Sequence, residues 1–434
     1  MADLIETRTI NRLYWRLVPL FFVMMFFNYL DRVNVGFAAL RMNADLGFSA
    51  AVYGFGSGTL FFIGYMVLQV PSNLMLHRVG ARIWLCVILI AWGLVSSATA
   101  FISNAQEFYT VRFVLGLAEG GFLPGAAVYM TQWFPEAHRA RAIAGYIIAT
   151  SVSTIVGGPI AGAIITFLDN FQGLHGWQWM FIAEGVPAVL LGLFVFTWLT
   201  EKPSDAQWLD SESRAWLTSK LEAERRVIER QGQIGITDIL ADVRVWSLGL
   251  LFASALVALY GLILWLPLMI KSLGQLSDLE VGFLSMLAPA LGVVGALLVS
   301  RHSDRVNERK LHMAGCYIVA GLGLFASTLV SNPVLVFMFL CIGNGAVLAA
   351  SPLFWTIAGS FFTGAASAAC IALINTIAQI GGLIGPYLIG AVKDRTGGYT
   401  LSLDMLAVFL FIAVAIAVAM KVEAKKTVAP APAE

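Results

Sequence analysis

The stretch that decides the fold lies near the start of the chain, where residues 17–40 read LVPLFFVMMFFNYLDRVNVGFAAL. This run is long enough to cross a bilayer as a helix, because a span needs about 20 mostly apolar residues. Two adjacent charges, Asp31 and Arg32, nevertheless interrupt it. An ionised side chain at the bilayer centre costs at least about 2.5–3.5 kcal/mol, so such groups usually face a cavity or a charged partner. The stretch therefore predicts a membrane helix with a functional face.

The remainder of the chain repeats this apolar pattern. Of the 434 residues, 59% are hydrophobic and 12% are charged, against about 45–50% and about 25% in a typical soluble domain. Residues 1–16 lack the apolar segment and cleavage site of a signal peptide, so we expect the first helix to be retained. The sequence predicts an all-α membrane protein with 12 transmembrane helices, at 17–40, 52–76, 83–101, 107–131, 141–166, 178–199, 246–270, 280–300, 311–330, 334–362, 365–392 and 401–420.

The distribution of Lys and Arg predicts the orientation. Cytoplasmic loops carry an excess of these residues. When the N-terminus is placed in the cytoplasm, most of the 27 Lys and Arg residues fall on the cytoplasmic side, and Arg41, Lys271, Lys393 and Arg395 fall on the other side. Both termini are therefore predicted to be cytoplasmic.

One long polar stretch divides the chain into six spans plus six. Residues 200–245 combine charges with apolar residues at helical spacing, among them Trp208, Trp216 and Leu217. This pattern predicts a cytoplasmic connector with an amphipathic helix against the bundle or the membrane surface. The predicted units are an N-terminal six-helix bundle (1–199), the connector (200–245), a C-terminal six-helix bundle (246–420) and a cytoplasmic tail (421–434).

The two halves share a motif at equivalent positions. Residues 158–163 in span five read GPIAGA, and residues 385–391 in span eleven read GPYLIGA. Internal repeats are typical of secondary transporters, and Gly and Pro allow close helix approach and bending. The alternative is that Gly and Pro are simply common in membrane helices. We favour a duplicated transporter whose halves rock against each other.

Charges within the spans are the candidate site residues. Asp31 and Arg32 lie in span one, Arg112 and Glu119 lie seven residues apart on one face of span four, and Glu184 lies in span six. Arg32 can clamp a carboxylate with its planar guanidinium, and a midplane carboxyl such as Glu119 or Asp31 is a candidate proton carrier. The alternatives are structural ion pairs for these three, an interfacial position for Glu184, and snorkelling to the interface for Arg112.

The second half offers polar but uncharged groups. The candidates that would face a central cavity are Ser351, Trp355, Asn375 and Gln379, and Asn344 belongs with them. The alternative is that polar side chains in membrane helices join neighbouring helices by hydrogen bonds.

Several functional classes are excluded by the sequence. The four cysteines lie in apolar runs and no metal-type Cys/His spacing occurs, so neither a disulfide framework nor a metal site or other cofactor is expected. A net charge of +1 gives no electrostatic case for nucleic acid. The hydrolase, metalloprotease and dinucleotide-binding motifs are missing, so the protein is not expected to be an enzyme.

Several motifs resemble those of the anion:cation symporter family, a branch of the major facilitator superfamily that includes bacterial permeases for phthalate, tartrate, galactonate and glucarate. They are Tyr29-Leu-Asp31-Arg32-Val-Asn34, Val70-Pro71-Ser72-Asn73 with His77-Arg78, Arg112-Phe-x-x-Gly116-x-x-Glu119, Gln132-Trp133-Phe134-Pro135, Arg301-His-Ser-Asp304-Arg305, Ser351-Pro-Leu-Phe-Trp355 and residues 372–390. One departure from the superfamily is that the loop after span two lacks its usual acidic residue, a change that the bacterial anion permeases share.

The resemblance implies a 6+6 major facilitator fold and proton-coupled uptake of organic anions by alternating access in a bacterial inner membrane. It implies Asp31 and Glu119 as the protonatable pair, Arg32 as the anion contact and Arg112 as a supporting charge. It further implies that Tyr29, Tyr65, Ser351 and Asn375 line the central site. A monomer is the default for this closed fold.

The residues leave the transport mode and the substrate open. A uniporter or an organic-anion exchanger needs no carboxyl in the membrane, so Asp31 and Glu119 favour proton coupling. A solute sensor would carry a signalling domain, for which the ends and the connector are too short. The abundance of aromatic residues slightly favours an aromatic carboxylate, but the same rings also stack on sugars, so sugar acids and tartrate-like dicarboxylates remain alternatives.

Overall fold

The protein folds as a bundle of membrane-length helices. The computed structural model describes residues 2–230, 236–362 and 365–420. Twelve helices in these ranges are long and apolar enough to cross a membrane: Leu4–Asp45, Ala50–Val79, Ala81–Phe101, Ala105–Trp133, Glu136–Phe167, Gly176–Trp198, Val243–Lys271, Asp278–Val306, Lys310–Leu329, Pro333–Phe361, Ala369–Thr396 and Thr400–Ala419. They are called spans one to twelve in this order. The predicted fold class is confirmed.

The first helix begins much earlier than the expected residue 17. It runs continuously from Ala2 to Asp45, because its polar N-terminal turns find charged partners outside the apolar region. Arg8 and Arg12 bind Asp210 at 3.1 and 2.5 Å. The hydropathy pattern therefore indicates where the apolar part of the helix begins but not where the helix itself begins.

Four of the twelve described spans are interrupted, and the break in span eight lies at Met286. Span two contains a π-helical turn over Phe55–Leu60, span four is broken after Glu119 at Gly120 and Gly121, and span eleven is broken at Gln379. π-helical turns are frequent at functional sites, and interrupted helices supply the binding groups of many secondary transporters. These breaks position the candidate site at mid-depth.

The two halves meet most closely at one end of the bundle, which we call the closed end. Its charged contacts are Arg41 with Asp278 at 2.6 Å, and Asp394, whose carboxylate accepts the backbone N–H groups of Ala50 and Ala51 at 2.9 and 2.8 Å. All of these link the first two spans to the second half. The closed end therefore combines polar contacts from both halves.

The repeated glycine motif forms the closest of these contacts. A Cβ atom on Gly158 of span five would lie 2.5 Å from the carbonyl oxygen of Gly282 in span eight. A Cβ atom on Gly54 of span two would lie 2.4 Å from the carbonyl oxygen of Pro386 in span eleven. Spans five and eleven thus contact the opposite half in the same way, as expected for a duplicated chain.

The connector packs on the N-terminal half. Its main helix, Ser211–Arg230, is preceded by Trp208, whose ring stacks on Trp133 with centroids 5.6 Å apart. Glu224 accepts the backbone N–H of Glu136 at the start of span five at 3.1 Å. The connector therefore lies against the bundle. The predicted tail, 421–434, lies outside the described residues.

Candidate functional site

A buried ion pair between spans one and four forms the centre of the site. Arg32 Nη2 lies 2.9 Å from Glu119 Oε2, and neither residue is more than 9% exposed. Asn28, one turn before Arg32, donates from Nδ2 to the same carboxylate oxygen at 3.2 Å. The second oxygen, Glu119 Oε1, has no hydrogen-bond partner among the described residues. Glu119 thus has one satisfied oxygen and one oxygen available for a proton.

Aromatic rings surround the guanidinium of Arg32. Its Cζ atom lies 5.0 Å from the ring centre of Tyr65, 5.4 Å from that of Phe61 and 5.8 Å from that of Tyr29. Such contacts stabilise a buried cation by about 0.5–2 kcal/mol. Phe61 also lies 4.8 Å from Cζ of Arg112. One phenyl ring therefore contacts both buried arginines.

Asp31 points away from Arg32, toward the interior of the N-terminal half. Neighbouring side chains on a helix diverge by about 100°, and Asp31 Oδ1 accepts a hydrogen bond from the hydroxyl of Ser96 in span three. Its charge also interacts with those of Arg112, Arg32 and Glu119. Asp31 is therefore part of the same charged cluster but is separated from the aromatic rings.

Arg112 is buried at 1% exposure, so the snorkelling alternative is wrong. Its Nη2 donates to the backbone carbonyl of Ser57, in the π-helical turn of span two, at 3.3 Å. Its Nε and Nη1, together with Nε of Arg32, have no hydrogen-bond partner among the described residues. Buried N–H donors are usually paired, so these atoms are available to an anionic ligand.

Both arginines line one cavity between the halves. The walls from the N-terminal half are Tyr29, Arg32, Val33, Ser57, Phe61, Phe62 and Arg112, and those from the C-terminal half are Tyr260, Ile263 and Leu264 of span seven. Tyr260 packs on Phe62 with ring centroids 4.5 Å apart. Sequence reasoning missed span seven, because a lone tyrosine in an apolar run resembles an ordinary membrane residue.

The polar candidates of the C-terminal half are not among the residues that line this cavity. Trp355 packs on Phe252 with ring centroids 5.2 Å apart, and Ser351 and Asn375 are partly buried on spans ten and eleven. Gln379 is 5% exposed, at the break of span eleven, and its Oε1 has no partner among the described residues. Their role in ligand binding stays a prediction.

Glu184 is not interfacial, and that expectation is wrong. The side chain is 3% exposed, because span six packs closely on span three: a Cβ atom on Gly185 would lie 2.4 Å from the carbonyl oxygen of Gly93. The sequence could place Glu184 along the helix axis but could not show which face of the helix is covered.

The chain matches known transporters over most of its length. A family model described as the Major Facilitator Superfamily matches residues 21–386. A putative tartrate transporter of Agrobacterium vitis is 42% identical over 406 residues, which are 94% of this chain and 93% of that protein. The putative metabolite transport protein NicT of Pseudomonas putida is 39% identical over 388 residues, 89% of this chain and 88% of that protein.

A solved structure shows the same fold. The inward open conformation of the xylose transporter XylE from E. coli matches with a TM-score of 0.75 at 14% identity, covering 95% of this chain and 98% of that chain. At this identity the likeness concerns the arrangement of helices alone.

Proposed function

The chain belongs to the Major Facilitator Superfamily and is a secondary transporter, and we propose that it couples the uptake of a small organic acid anion to proton entry. The observation that carries this proposal is the buried pair of Arg32 and Glu119 at 2.9 Å. The pair joins a permanent cation, suited to a carboxylate ligand, to a carboxyl that can accept a proton.

The two ligands are linked through Arg32. When Glu119 is ionised, its carboxylate occupies the guanidinium. When Glu119 takes up a proton it becomes neutral, and Arg32 is left with N–H donors and a positive charge that a substrate carboxylate can satisfy. A buried arginine without an anion is costly, so protonation and anion binding favour each other. Asp31, which interacts electrostatically with the pair, is the second proposed proton carrier.

The position of the closed end indicates which state of an alternating-access cycle this structure represents. With the N-terminus in the cytoplasm, Asp45, Ala50 and Asp278 lie on the outer side, so the structure is closed to the outside. The proton and the anion would leave toward the cytoplasm from this state. Outward opening requires the Asp394 and Arg41 contacts to break.

Energetics also favour coupling to protons. An anion entering against a negative interior is opposed by about 2.3 kcal/mol per charge per 100 mV. Cotransport of at least one proton for each negative charge removes this penalty. A uniporter would have to accept it, and an exchanger would need a second anion leaving the cell.

The substrate we favour is an aromatic carboxylate, because Tyr29, Phe61 and Tyr65 surround Arg32. A second candidate is a dicarboxylate or a sugar acid. Two observations favour it: the relatives named as putative tartrate transporters, and the second arginine, Arg112, with two donor nitrogens that lack a partner among the described residues. Ser351, Trp355, Asn375 and Gln379 would contact the substrate when the halves close around it.

The proposed setting is a bacterial inner membrane, in which the protein functions as a monomer. The proposed units are 1–199, 200–245, 246–420 and 421–434, with both termini in the cytoplasm. A cysteine scan with a membrane-impermeant reagent tests the orientation, and light scattering of the detergent-solubilised protein tests the monomer.

Proton entry into proteoliposomes tests the function. An internal pH dye is read while tartrate, sugar acids and aromatic acids are added one at a time to wild type, Glu119→Gln and Glu107→Gln. Glu107 is the matched control, since it is an exposed glutamate on the same span that bonds Ser103. We expect acidification with one class of acid, lost in Glu119→Gln and kept in Glu107→Gln.

Two results would contradict the proposal. Labelled acid that enters wild-type vesicles without acidification would show a uniporter or an exchanger. Normal acidification by Glu119→Gln would show that the proton is carried by another group.

A further inference from the structure

Glu184 is a buried carboxyl that the proposed mechanism does not use. It is 3% exposed, and neither Oε1 nor Oε2 has a hydrogen-bond partner among the described residues. Span six packs on spans one, three and five, and Asp31 of span one lies close enough for its charge to act on Glu184. Glu184 thus forms no ion pair within the described residues.

This environment determines which of the two carboxyls carries a proton. Ionised Asp31 is stabilised by a hydrogen bond from Ser96 and by the positive charges of Arg112 and Arg32. An ionised Glu184, in contrast, would be an unpaired buried charge. Unpaired buried charges are strongly unfavourable, and such groups become neutral instead. Glu184 therefore holds a proton here. With Glu184 neutral, the charges of Arg32 and Arg112 balance those of Asp31 and Glu119.

The depth of Glu184 places it between Asp31 and the closed end. With a rise of about 1.5 Å per residue, Glu184 lies about 12 Å from the start of span six at Gly176, and Asp31 lies about 21 Å from the end of span one at Asp45. Both of those termini are at the closed end, where Trp177 donates to Asp45 at 2.8 Å. A proton that enters from this end reaches the level of Glu184 first.

We infer that Glu184 is a third protonatable group of the coupling machinery, which passes its proton to Asp31. In this step the carboxyl of Glu184 loses a proton to water that enters when the closed end opens, and the carboxylate of Asp31, about 9 Å deeper along the helix axis, takes a proton from that water. Glu184 then takes a new proton from a hydronium ion of the outer solution. Transfer leaves Glu184 as a buried carboxylate without a partner, which is strongly unfavourable, so its reprotonation should be rapid. The inference rests on the proposed function, and it assigns the route by which the coupled proton enters.

Glu184→Gln tests the inference, because the amide keeps the shape and neutrality of the protonated carboxyl but cannot release a proton. Asp404→Asn is the matched control, since it makes the same change at a carboxyl bonded to Thr328 inside the other half. Each variant is assayed for proton-driven uptake and for exchange of labelled against unlabelled substrate at equal pH. Exchange needs the binding site and the rocking motion but no net proton movement.

We expect Glu184→Gln to lower the rate of proton-driven uptake and acidification at least tenfold, to flatten its dependence on external pH and to retain exchange. Glu184→Asp should restore part of the uptake. Uptake and a pH profile equal to those of Asp404→Asn would overturn the inference, and so would equal losses of uptake and exchange in both Glu184 variants. Failure of the wild type to take up protons would refute the proposed function instead.

Discussion

Replacement of Asp394 should open the closed end. Asp394 of span eleven accepts two backbone N–H groups, of Ala50 and Ala51, at the start of span two, so it caps a helix of the opposite half. A carboxylate at a helix N-terminus is worth about 0.3–1 kcal/mol when exposed, and a charged hydrogen bond about 1.5–3 kcal/mol. Asp394 is exposed, so we take about 1 kcal/mol for Asp394→Asn and about 2 kcal/mol for Asp394→Ala.

These energies convert into populations. Since about 1.4 kcal/mol is a factor of ten, Asp394→Asn should raise the ratio of outward-open to closed protein about fivefold, and Asp394→Ala about thirtyfold. Replacement of Asp394 destabilises only the closed conformation, because spans two and eleven separate at this end when the halves rock. Both variants should therefore keep their fold.

Distances between spin labels across the closed end measure the ratio. Gln106 on span four and Gln275 between spans seven and eight are exposed positions on opposite halves, and each is replaced by cysteine for labelling. The cysteines at 86, 316, 341 and 370 are buried, so they do not compete for label. Asp404→Asn serves as the control, because Asp404 bonds Thr328 within the second half and not across the closed end. The longer label-to-label distance reports the outward-open protein. If its fraction is the same in Asp394→Ala and in Asp404→Asn, the reasoning is refuted.

Three further changes test the contacts around this end and the connector. Tyr53→Phe removes a hydroxyl that donates to the carbonyl of span seven at 2.8 Å, so the same labels should report about fivefold more open protein for the loss of about 1 kcal/mol. Gly158→Leu should abolish uptake, because its side chain would overlap the backbone of span eight, whereas Gly315→Leu, with no atom within 4 Å, should keep it. Hydrogen bonds from the start of the connector helix hold the pKa of Asp210 below its usual range. The stabilisation that ionised Asp210 gives to this helix is therefore complete at neutral pH and is lost below about pH 4. Asp210→Asn should reproduce this loss at pH 7, seen as faster hydrogen exchange in Ser211–Arg230; unchanged exchange would contradict the role of Asp210.

The charged part of the site could be predicted from the sequence. Asp31, Arg32 and Glu119 stand out because an ionisable residue in an apolar run is costly unless it has a partner. The pairing of Arg32 with Glu119 is one of the alternatives that the sequence leaves open, because the sequence does not show which spans are neighbours. Asn28 as a donor to Glu119 could not be assigned, because an amide in a membrane helix has many possible partners.

The apolar walls of the site could not be predicted. In water, the apolar face of a helix identifies the core, but in a bilayer the lipid-facing surface is equally apolar. Phe62 and Tyr260 therefore resemble residues that face lipid. For the same reason the sequence indicates the depths of Arg112 and Glu184 but could not show that both side chains are buried.

Within the described residues, the buried charges away from the closed end all lie in the first of the two duplicated halves. Asp31, Arg32, Arg112, Glu119 and Glu184 all belong to the first six spans, whereas the second half contributes Tyr260, Ile263 and Leu264 to the cavity wall. After a gene duplication, one copy can keep the ionic chemistry while the other varies the shape of the pocket. A chimaera that carries the second half of a relative should therefore keep its proton coupling and change its preference among acids.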